Sequence, residues 1–172
     1  MNSIKIFPGW TSKSYDGLKE GRRIRLDNKD LNTTNKNFPD HVIKAGATVY
    51  QGGVNLSFGP EYVNLNLSGV YPNHTEVEVV KLFKGRFIND IDIKERRKVI
   101  VLHKKTAEIL FDKTHTDPIG QFVNAGNVVY QVVGLYNDKG DSGDSDAYLP
   151  FTTLQTIYNK GDKLNNLIMT TK

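Results

Sequence analysis

The chain has 172 residues, of which 38% are hydrophobic, and 23 Lys and Arg against 19 Asp and Glu leave a formal net charge of +4. With its 15 glycines added, this composition is that of a globular domain long enough to bury a core, so wholesale disorder is excluded. The absence of cysteine excludes disulfides, thiol catalysis and cysteine-ligated metal sites, and the small positive charge permits a nucleic-acid or membrane partner without favouring either.

The first forty residues predict two short strands, a loop and one helix. Ile4–Phe7 has the pattern of an opening strand, and a loop rich in Ser, Gly and Lys separates it from a second strand at 23–26. Asp27 is a good helix N-cap with Asp30 three residues on, so a short polar helix is expected over 28–37. A following Phe-Pro pair ends that helix.

The middle of the chain reads as all β. Residues 41–50 and 54–58 form two runs, and the Gly52-Gly53 pair between them is interpreted as a turn. Gly59-Pro60 marks a second turn. Residues 62–70 then alternate between apolar and polar side chains, which is typical of an antiparallel strand with one face in water.

After residue 72, short helices alternate with strands. The predicted elements are helices at 73–80, 89–97, 104–111 and 150–158, and strands at 98–102, 121–123, 128–135, 147–149 and 164–170. Because 128–135 is apolar on both faces, it is expected to be a central strand. The whole pattern predicts an α+β fold.

An acidic loop before residue 147 offers the only cluster of candidate metal ligands. Asp138, Asp141, Asp144 and Asp146 carry oxygen atoms of the kind that bind calcium. The spacing is not that of an EF-hand, because no bidentate Glu closes the loop. The sequence therefore favours a solvated acidic loop, and no metal site is predicted.

The same loop contains a serine motif that invites a hydrolase interpretation. Residues 140–143 read Gly-Asp-Ser-Gly, the core of the element around the nucleophile of trypsin-like proteases. A catalytic triad also needs a base beside the hydroxyl and an acid that orients the base. Asp144 replaces the second glycine of the element, and no histidine has the matching context. A Gly/Asp/Ser turn explains these residues better.

The remaining patterns predict no catalytic residue, cofactor or nucleic-acid partner. The four histidines form no zinc-binding pair, and His103, which follows a buried strand, is expected to end an element rather than to act as a base. No phosphate-binding glycine motif occurs, and acidic residues interleave with the basic clusters. No signal peptide is visible, and no run approaches the roughly 18 apolar residues of a membrane span.

Three segments occur in an order and spacing that is typical of one family. Residues 84–92 read KGRFINDID, residues 97–102 and 107–111 form a strand and a helix, and 117–121 (DPIGQ) precedes 130–134 (YQVVG). Together they resemble the MacB-like periplasmic core domain, the extracytoplasmic domain of MacB/FtsX-type ABC transporter permeases.

The resemblance implies a two-lobed architecture. A porter-like, mixed α/β lobe would come from residues 1–40 and 72–172, and 41–71 would form part of an inserted, mostly β lobe. The domain would lie between the first two membrane spans of a permease, on the periplasmic side of the inner membrane. The missing spans are then interpreted as the boundary of a piece of a longer membrane protein.

The resemblance also implies a function and partners. The domain would be non-enzymatic and would couple ATP-driven motion to the handling of a substrate or partner in the periplasm. Its partners would be the transmembrane part of its own permease, an ABC ATPase subunit or domain, a second permease copy and a periplasmic adaptor. The alternative is a free-standing periplasmic ligand-binding domain or hydrolase that uses the loop at 138–146. The transported substrate is not predicted.

Overall fold

A computed structural model describes residues 2–78, 80–138 and 147–171. The strands in these ranges are β1 (Asn2–Ile6), β2 (Leu26–Asp27), β3 (Val42–Phe58), β4 (Glu61–Val70), β5 (Val80–Gly85), β6 (Val99–His103), β7 (Phe122–Ala125), β8 (Val128–Asp138), β9 (Ala147–Pro150), β10 (Lys163–Leu164) and β11 (Asn166–Thr171). The helices are α1 (Asn28–Asn37), α2 (His74–Val77), α3 (Asp90–Glu95), α4 (Lys104–Phe111) and α5 (Phe151–Ile157). This mixture confirms the predicted α+β class.

Most of the described strands belong to one mixed sheet. Its order is β1-β11-β3-β4-β9-β6-β8-β5, and β7 pairs with both β3 and β8. β4 with β9 and β6 with β8 are parallel pairs, whereas the other main pairs are antiparallel. As predicted, β8 is central, because it pairs with β5, β6 and β7.

The long strand β3 corrects one prediction. The expected turn at Gly52-Gly53 is wrong, because β3 runs without reversal from Val42 to Phe58 and the two glycines lie in a bulge. Its register against β4 shifts between Gln51 and Val54, so the chain takes up extra residues without leaving the sheet. The reversal comes at Gly59, which has φ +56°.

Two helices begin as predicted, with side chains that satisfy their first N–H groups. Asp27 accepts hydrogen bonds from the backbone N–H groups of Lys29 and Asp30, and the Asp30 carboxylate accepts from the N–H of Asp27. Asn89 and Asp92 make the same reciprocal arrangement at α3. Each arrangement is a capping box, which fixes where the helix starts.

The predictions for the first forty residues and for the part after residue 72 also contain errors. The strand expected at 23–26 is wrong except at Leu26, because Arg23 forms only an isolated bridge with Trp10 inside an exposed arm between β1 and β2. The helix expected at 73–80 ends at Val77, and the chain continues into β5. β5 was missed because it is a largely exposed edge strand and so lacks an alternating apolar pattern.

The sheet buries a different cluster on each face. On one face, Leu102 of β6 packs with Leu110 of α4 and Leu154 of α5. We call this the helix face. On the other, Val101 of β6 packs with Ile88, which precedes α3. We call this the motif face, because residues 84–92 cover part of it.

The β3–β4 hairpin shares the core of the helix face. Leu56 of β3 and Leu67 of β4 are fully buried in the same cluster as the helices. β4 also pairs directly with β9, from Leu67 opposite Ala147 to Val70 opposite Pro150. The division into lobes at residues 41 and 71 stays a prediction.

Candidate functional site

The first and last described strands lie side by side at one edge of the sheet. Asn2 of β1 is opposite Thr171 of β11, and Ile6 is opposite Leu167. β11 pairs on its other side with the first half of β3. A displacement of either strand end would therefore act on β3 through a continuous ladder of backbone hydrogen bonds.

The short helix α2 connects these terminal strands to the rest of the molecule. Lys5 of β1 forms an ion pair with Glu78, which follows α2, and Lys44 Nζ of β3 lies 3.0 Å from Glu76 Oε1. The side chain of Asn73 packs directly on Gly46 of β3, where a Cβ atom would overlap the Asn73 side-chain oxygen. The close approach of α2 to the sheet thus depends on a glycine.

His74 is a buried, uncharged group at this junction. Its ring lies 5.1 Å from that of Tyr148 on β9, and only 6% of the residue is exposed. Burial, reinforced by the positive charge of Lys5, lowers the pKa of His74 to about 4. Within the described part of the chain, His74 Nδ1 and Asn73 Nδ2 are buried without a hydrogen-bond partner.

An ion pair with a buried carboxylate fixes the family-like segment 84–92 on the motif face. Asp92 is fully buried, and its two oxygens accept hydrogen bonds from Arg86 Nη1 and Nη2 at 2.6 and 3.1 Å. Arg97 Nη1 lies 4.0 Å from Asp92 Oδ1. The backbone of Arg86 also passes so close to Gly134 of β8 that a Cβ atom there would overlap the Arg86 carbonyl oxygen.

The sequence indicated only part of this ion-pair cluster. The helix predicted at 89–97 explains why Asp92 forms a capping box with Asn89 at the start of α3. Its second role, which is to bind two guanidinium groups, was missed. The spacing of Arg86 from Asp92 carries no periodic signal, because irregular backbone separates them.

The candidate calcium and serine residues fall almost entirely outside the described residues. Asp138 is the last residue of β8, and Asp141, Ser142, Asp144 and Asp146 lie beyond the described ranges. The expectation of a solvated loop, rather than a calcium or hydrolase site, therefore stays a prediction. Elsewhere, among residues 2–78, 80–138 and 147–171, no group of three or more His, Asp or Glu side chains is arranged to hold a metal ion.

His103 ends an element, as predicted. It is the N-cap of α4, and its Nδ1 accepts a hydrogen bond from the backbone N–H of Lys105 at 3.2 Å. Its ring also contacts that of Tyr136 edge to face, at 5.1 Å.

None of the described helices is both long enough and apolar enough to cross a membrane.

These features define an α+β domain whose first and last strands are paired at one edge of a mixed sheet. The same fold is found in the periplasmic region of MacB from Actinobacillus actinomycetemcomitans, with a TM-score of 0.80 and 22% identity over 99% of this chain and 75% of that one. The extracellular domain of the noncanonic ABC-type transporter YknZ from Gram-positive bacteria has a TM-score of 0.70 and 25% identity, over 86% of this chain and 74% of that one.

The family profile of the MacB-like periplasmic core domain matches residues 1–172. The chain belongs to this family, whose members are periplasmic domains of MacB-like ABC transporter permeases.

Two full-length relatives, which share one name with each other, also match the chain. The macrolide export ATP-binding/permease protein MacB of Rhodopseudomonas palustris (strain BisB18) is 25% identical over 172 residues, which is 98% of this chain and 25% of the relative. That of Bartonella henselae is 28% identical over 106 residues, covering 60% of this chain and 16% of the relative. The chain thus spans a quarter or less of these two proteins.

Proposed function

We propose that this domain couples ATP-driven motion of an ABC transporter permease to the handling of a substrate or partner on the periplasmic side of the inner membrane. The observation that carries the proposal is the pairing of β1 with β11, from Asn2 opposite Thr171 to Ile6 opposite Leu167. Two membrane helices that flank the domain would pull on this one strand pair, and the domain would respond as a unit.

The long strand β3 provides the route for such a motion. Its first half pairs with β11 and its second half with β4 and β7. At about 3.3 Å per residue, a strand of 17 residues reaches roughly 50 Å. A shift at the terminal strands would therefore reach the β3–β4 turn without passing through a loop.

We infer that the domain acts without catalysis of its own. An ATP-binding domain or subunit would supply the energy, as the relatives' name of ATP-binding/permease protein suggests. A second permease copy and a periplasmic adaptor complete the proposed assembly. The transported substrate stays unassigned.

The side of the membrane on which the domain lies can be tested with a single introduced cysteine, because this chain contains none. Ser14→Cys places a thiol on the exposed arm, and a membrane-impermeant maleimide is then added to cells whose outer membrane alone is permeabilised. We expect labelling of the parent protein, otherwise free of cysteine, before the inner membrane is opened. Labelling only afterwards would contradict the periplasmic location.

Coupling can be tested with flexible insertions in the parent transporter. A six-residue Gly-Ser segment before Asn2 and another after Thr171 should abolish nucleotide-dependent transport while ATP hydrolysis continues. The same segment between Asp16 and Gly17, in the exposed arm, is the matched control and should leave transport intact. Transport that survives both terminal insertions would contradict the coupling role.

A further inference from the structure

A cleft of about 600 Å³ opens between the start of β6 and the β7–β8 hairpin. Its lining includes three cationic side chains, those of Arg86, Arg97 and Lys98. Phe122 of β7 and Val129 of β8 also line it, and they are 57% and 44% exposed. We call this feature the basic cleft. It is open to solvent rather than enclosed, so a bound ligand would stay partly exposed.

The two arginines of the basic cleft are held in place by the buried carboxylate of Asp92. That carboxylate binds Arg86 through two hydrogen bonds and lies 4.0 Å from Arg97 Nη1. Arg97 Nε also donates to Glu95 Oε2 at 2.7 Å. Both arginine side chains remain more than 40% exposed, so their outer N–H groups are accessible from the cleft. A guanidinium has five N–H donors, and these contacts leave some of them for an anion.

Lys98 adds a third positive charge that no described carboxylate neutralises through an ion pair. It is exposed immediately before β6, and no ion pair joins it to another described side chain. Among the described residues, Asp92 and Glu95 are the carboxylates that contact the arginines. Three cations against two anions leave the basic cleft positively charged.

Phe122 and Val129 form an apolar strip next to these charges. Phe122 is opposite Gln131 in the β7–β8 pair and Val129 is opposite Asn124, so the side chains of these four residues lie on the same face of the hairpin. The intervening Tyr130 and Val123 point the other way and are fully buried. Contact between this apolar strip and water is unfavourable, and a hydrocarbon chain bound along the strip would displace the water.

We propose that the basic cleft binds a dissolved, single-chain amphiphilic anion. Its phosphate or carboxylate head group would bind Arg97 and Lys98, and its hydrocarbon tail would lie along Phe122 and Val129. Inorganic phosphate would use only the charges, and an uncharged apolar ligand would use only the strip. This proposal concerns the chain's own ligand and is independent of the proposed coupling of transport.

The test is a titration of the full chain with dodecyl phosphate below its micelle concentration, followed by amide NMR shifts. Lys98→Gln, Arg97→Gln and Phe122→Ser should each weaken binding by about tenfold, because each removes a charged or apolar contact. Lys29→Gln on α1 and Tyr62→Ser on β4 are matched exposed controls and should bind as the unaltered chain does. Thermal unfolding of each variant separates lost binding from lost folding, and Lys98 makes no ion pair with a described residue that its substitution could break.

Two further ligands sharpen the result. Inorganic phosphate should shift the same residues but bind at least about tenfold more weakly, and dodecyltrimethylammonium should not bind. The proposal is overturned if Lys98→Gln and Arg97→Gln bind dodecyl phosphate normally, if inorganic phosphate binds as tightly, or if the cationic amphiphile binds equally. Binding of phosphatidylglycerol vesicles without binding of dissolved dodecyl phosphate would overturn it in favour of a membrane surface.

Discussion

The two faces of the sheet are covered in different ways, although the same strands supply both. On the helix face, α4 and α5 cover apolar residues such as Leu102 of β6. On the motif face, irregular backbone around Phe87 and Ile88 covers Val101 of the same strand, and Ile93 of the short helix α3 packs against the same cluster. One face is closed by regular helices, the other by turns, glycines and polar contacts.

The two faces therefore contribute differently: apolar burial on the helix face supplies stability, and specific contacts on the motif face determine the path of the backbone. Burial of apolar area is tolerant of exact geometry, so most of the helix face needs only residues of suitable size. Gly69 of β4 is an exception, because a Cβ atom there would overlap Leu154 of α5. The motif face instead requires glycines at Gly85 and Gly134, where a Cβ atom would overlap neighbouring backbone, and an ion pair at Asp92. One of the segments that resemble the family, 84–92, lies on the motif face. Its distinctive residues therefore specify a backbone path rather than a reaction.

The largest expected effect compares the same substitution on the two faces. Phe111 of α4 is 1% exposed, and its ring centroid lies 4.3 Å from that of Phe58, so Phe111→Ala should cost about 3–5 kcal/mol of unfolding free energy. Phe87 on the motif face is only partly buried, so Phe87→Ala should cost about 1 kcal/mol. Urea unfolding measures both, and equal costs would show that the motif face is as much a core as the helix face.

The second prediction tests the polar contribution on the motif face. Asp92→Asn leaves two guanidinium groups around a neutral amide, and we expect it to cost about 3 kcal/mol, the lower end for breaking a buried ion pair. The matched change is Asp117→Asn at an exposed pair, where a hydrogen bond from Lys84 lowers the pKa of the Asp117 carboxyl. Because water screens this exposed pair, the change should lower the unfolding midpoint only slightly. A similar, small effect at both sites would contradict the assigned role of Asp92.

Much of the fold was predictable where local chemistry decides the outcome. The helices beginning at Asn28 and Asp90 follow from capping residues, and α4 was predicted with its observed limits, Lys104–Phe111. The β7–β8 hairpin follows from two apolar runs around a turn. Each of these signals lies within a window of about a dozen residues, which is what a single sequence can report.

The rest depends on contacts between distant residues. The bulge at Gly52-Gly53 and a turn there use the same residues, and only pairing with β4 distinguishes them. The burial of His74 depends on Tyr148 of β9, 74 positions later, and the basic cleft combines β6 with the β7–β8 hairpin. No local periodicity encodes such contacts, so this candidate site could not be predicted from the sequence.

The third prediction uses pH to probe the motif face near α2. His74 has a pKa lowered from 6.5 to about 4, chiefly by burial, so the unfolded chain binds a proton there at higher pH than the folded chain does. Stability is therefore lost as pH falls from 6.5 toward 4, by roughly 2–3 kcal/mol.

His74→Leu removes this proton-linked term and provides the comparison. The difference in unfolding free energy between the two proteins should change steadily over that pH window and be constant above it. Parallel curves across the window would mean that His74 takes up its proton equally well in the folded state.

The smallest expected effect concerns the ion pair that joins α2 to β3. Lys44 Nζ lies 3.0 Å from Glu76 Oε1, but the lysine side chain is 58% exposed, so water screens the attraction. A double-mutant cycle with Lys44→Gln and Glu76→Gln should give a coupling energy below about 1 kcal/mol that decreases as salt is added. Buried contacts at His74 and Asn73, rather than this pair, would then hold α2 against the terminal strands. A coupling energy well above that value, and insensitive to salt, would instead make the ion pair the principal connection between α2 and the strands that we propose to transmit motion.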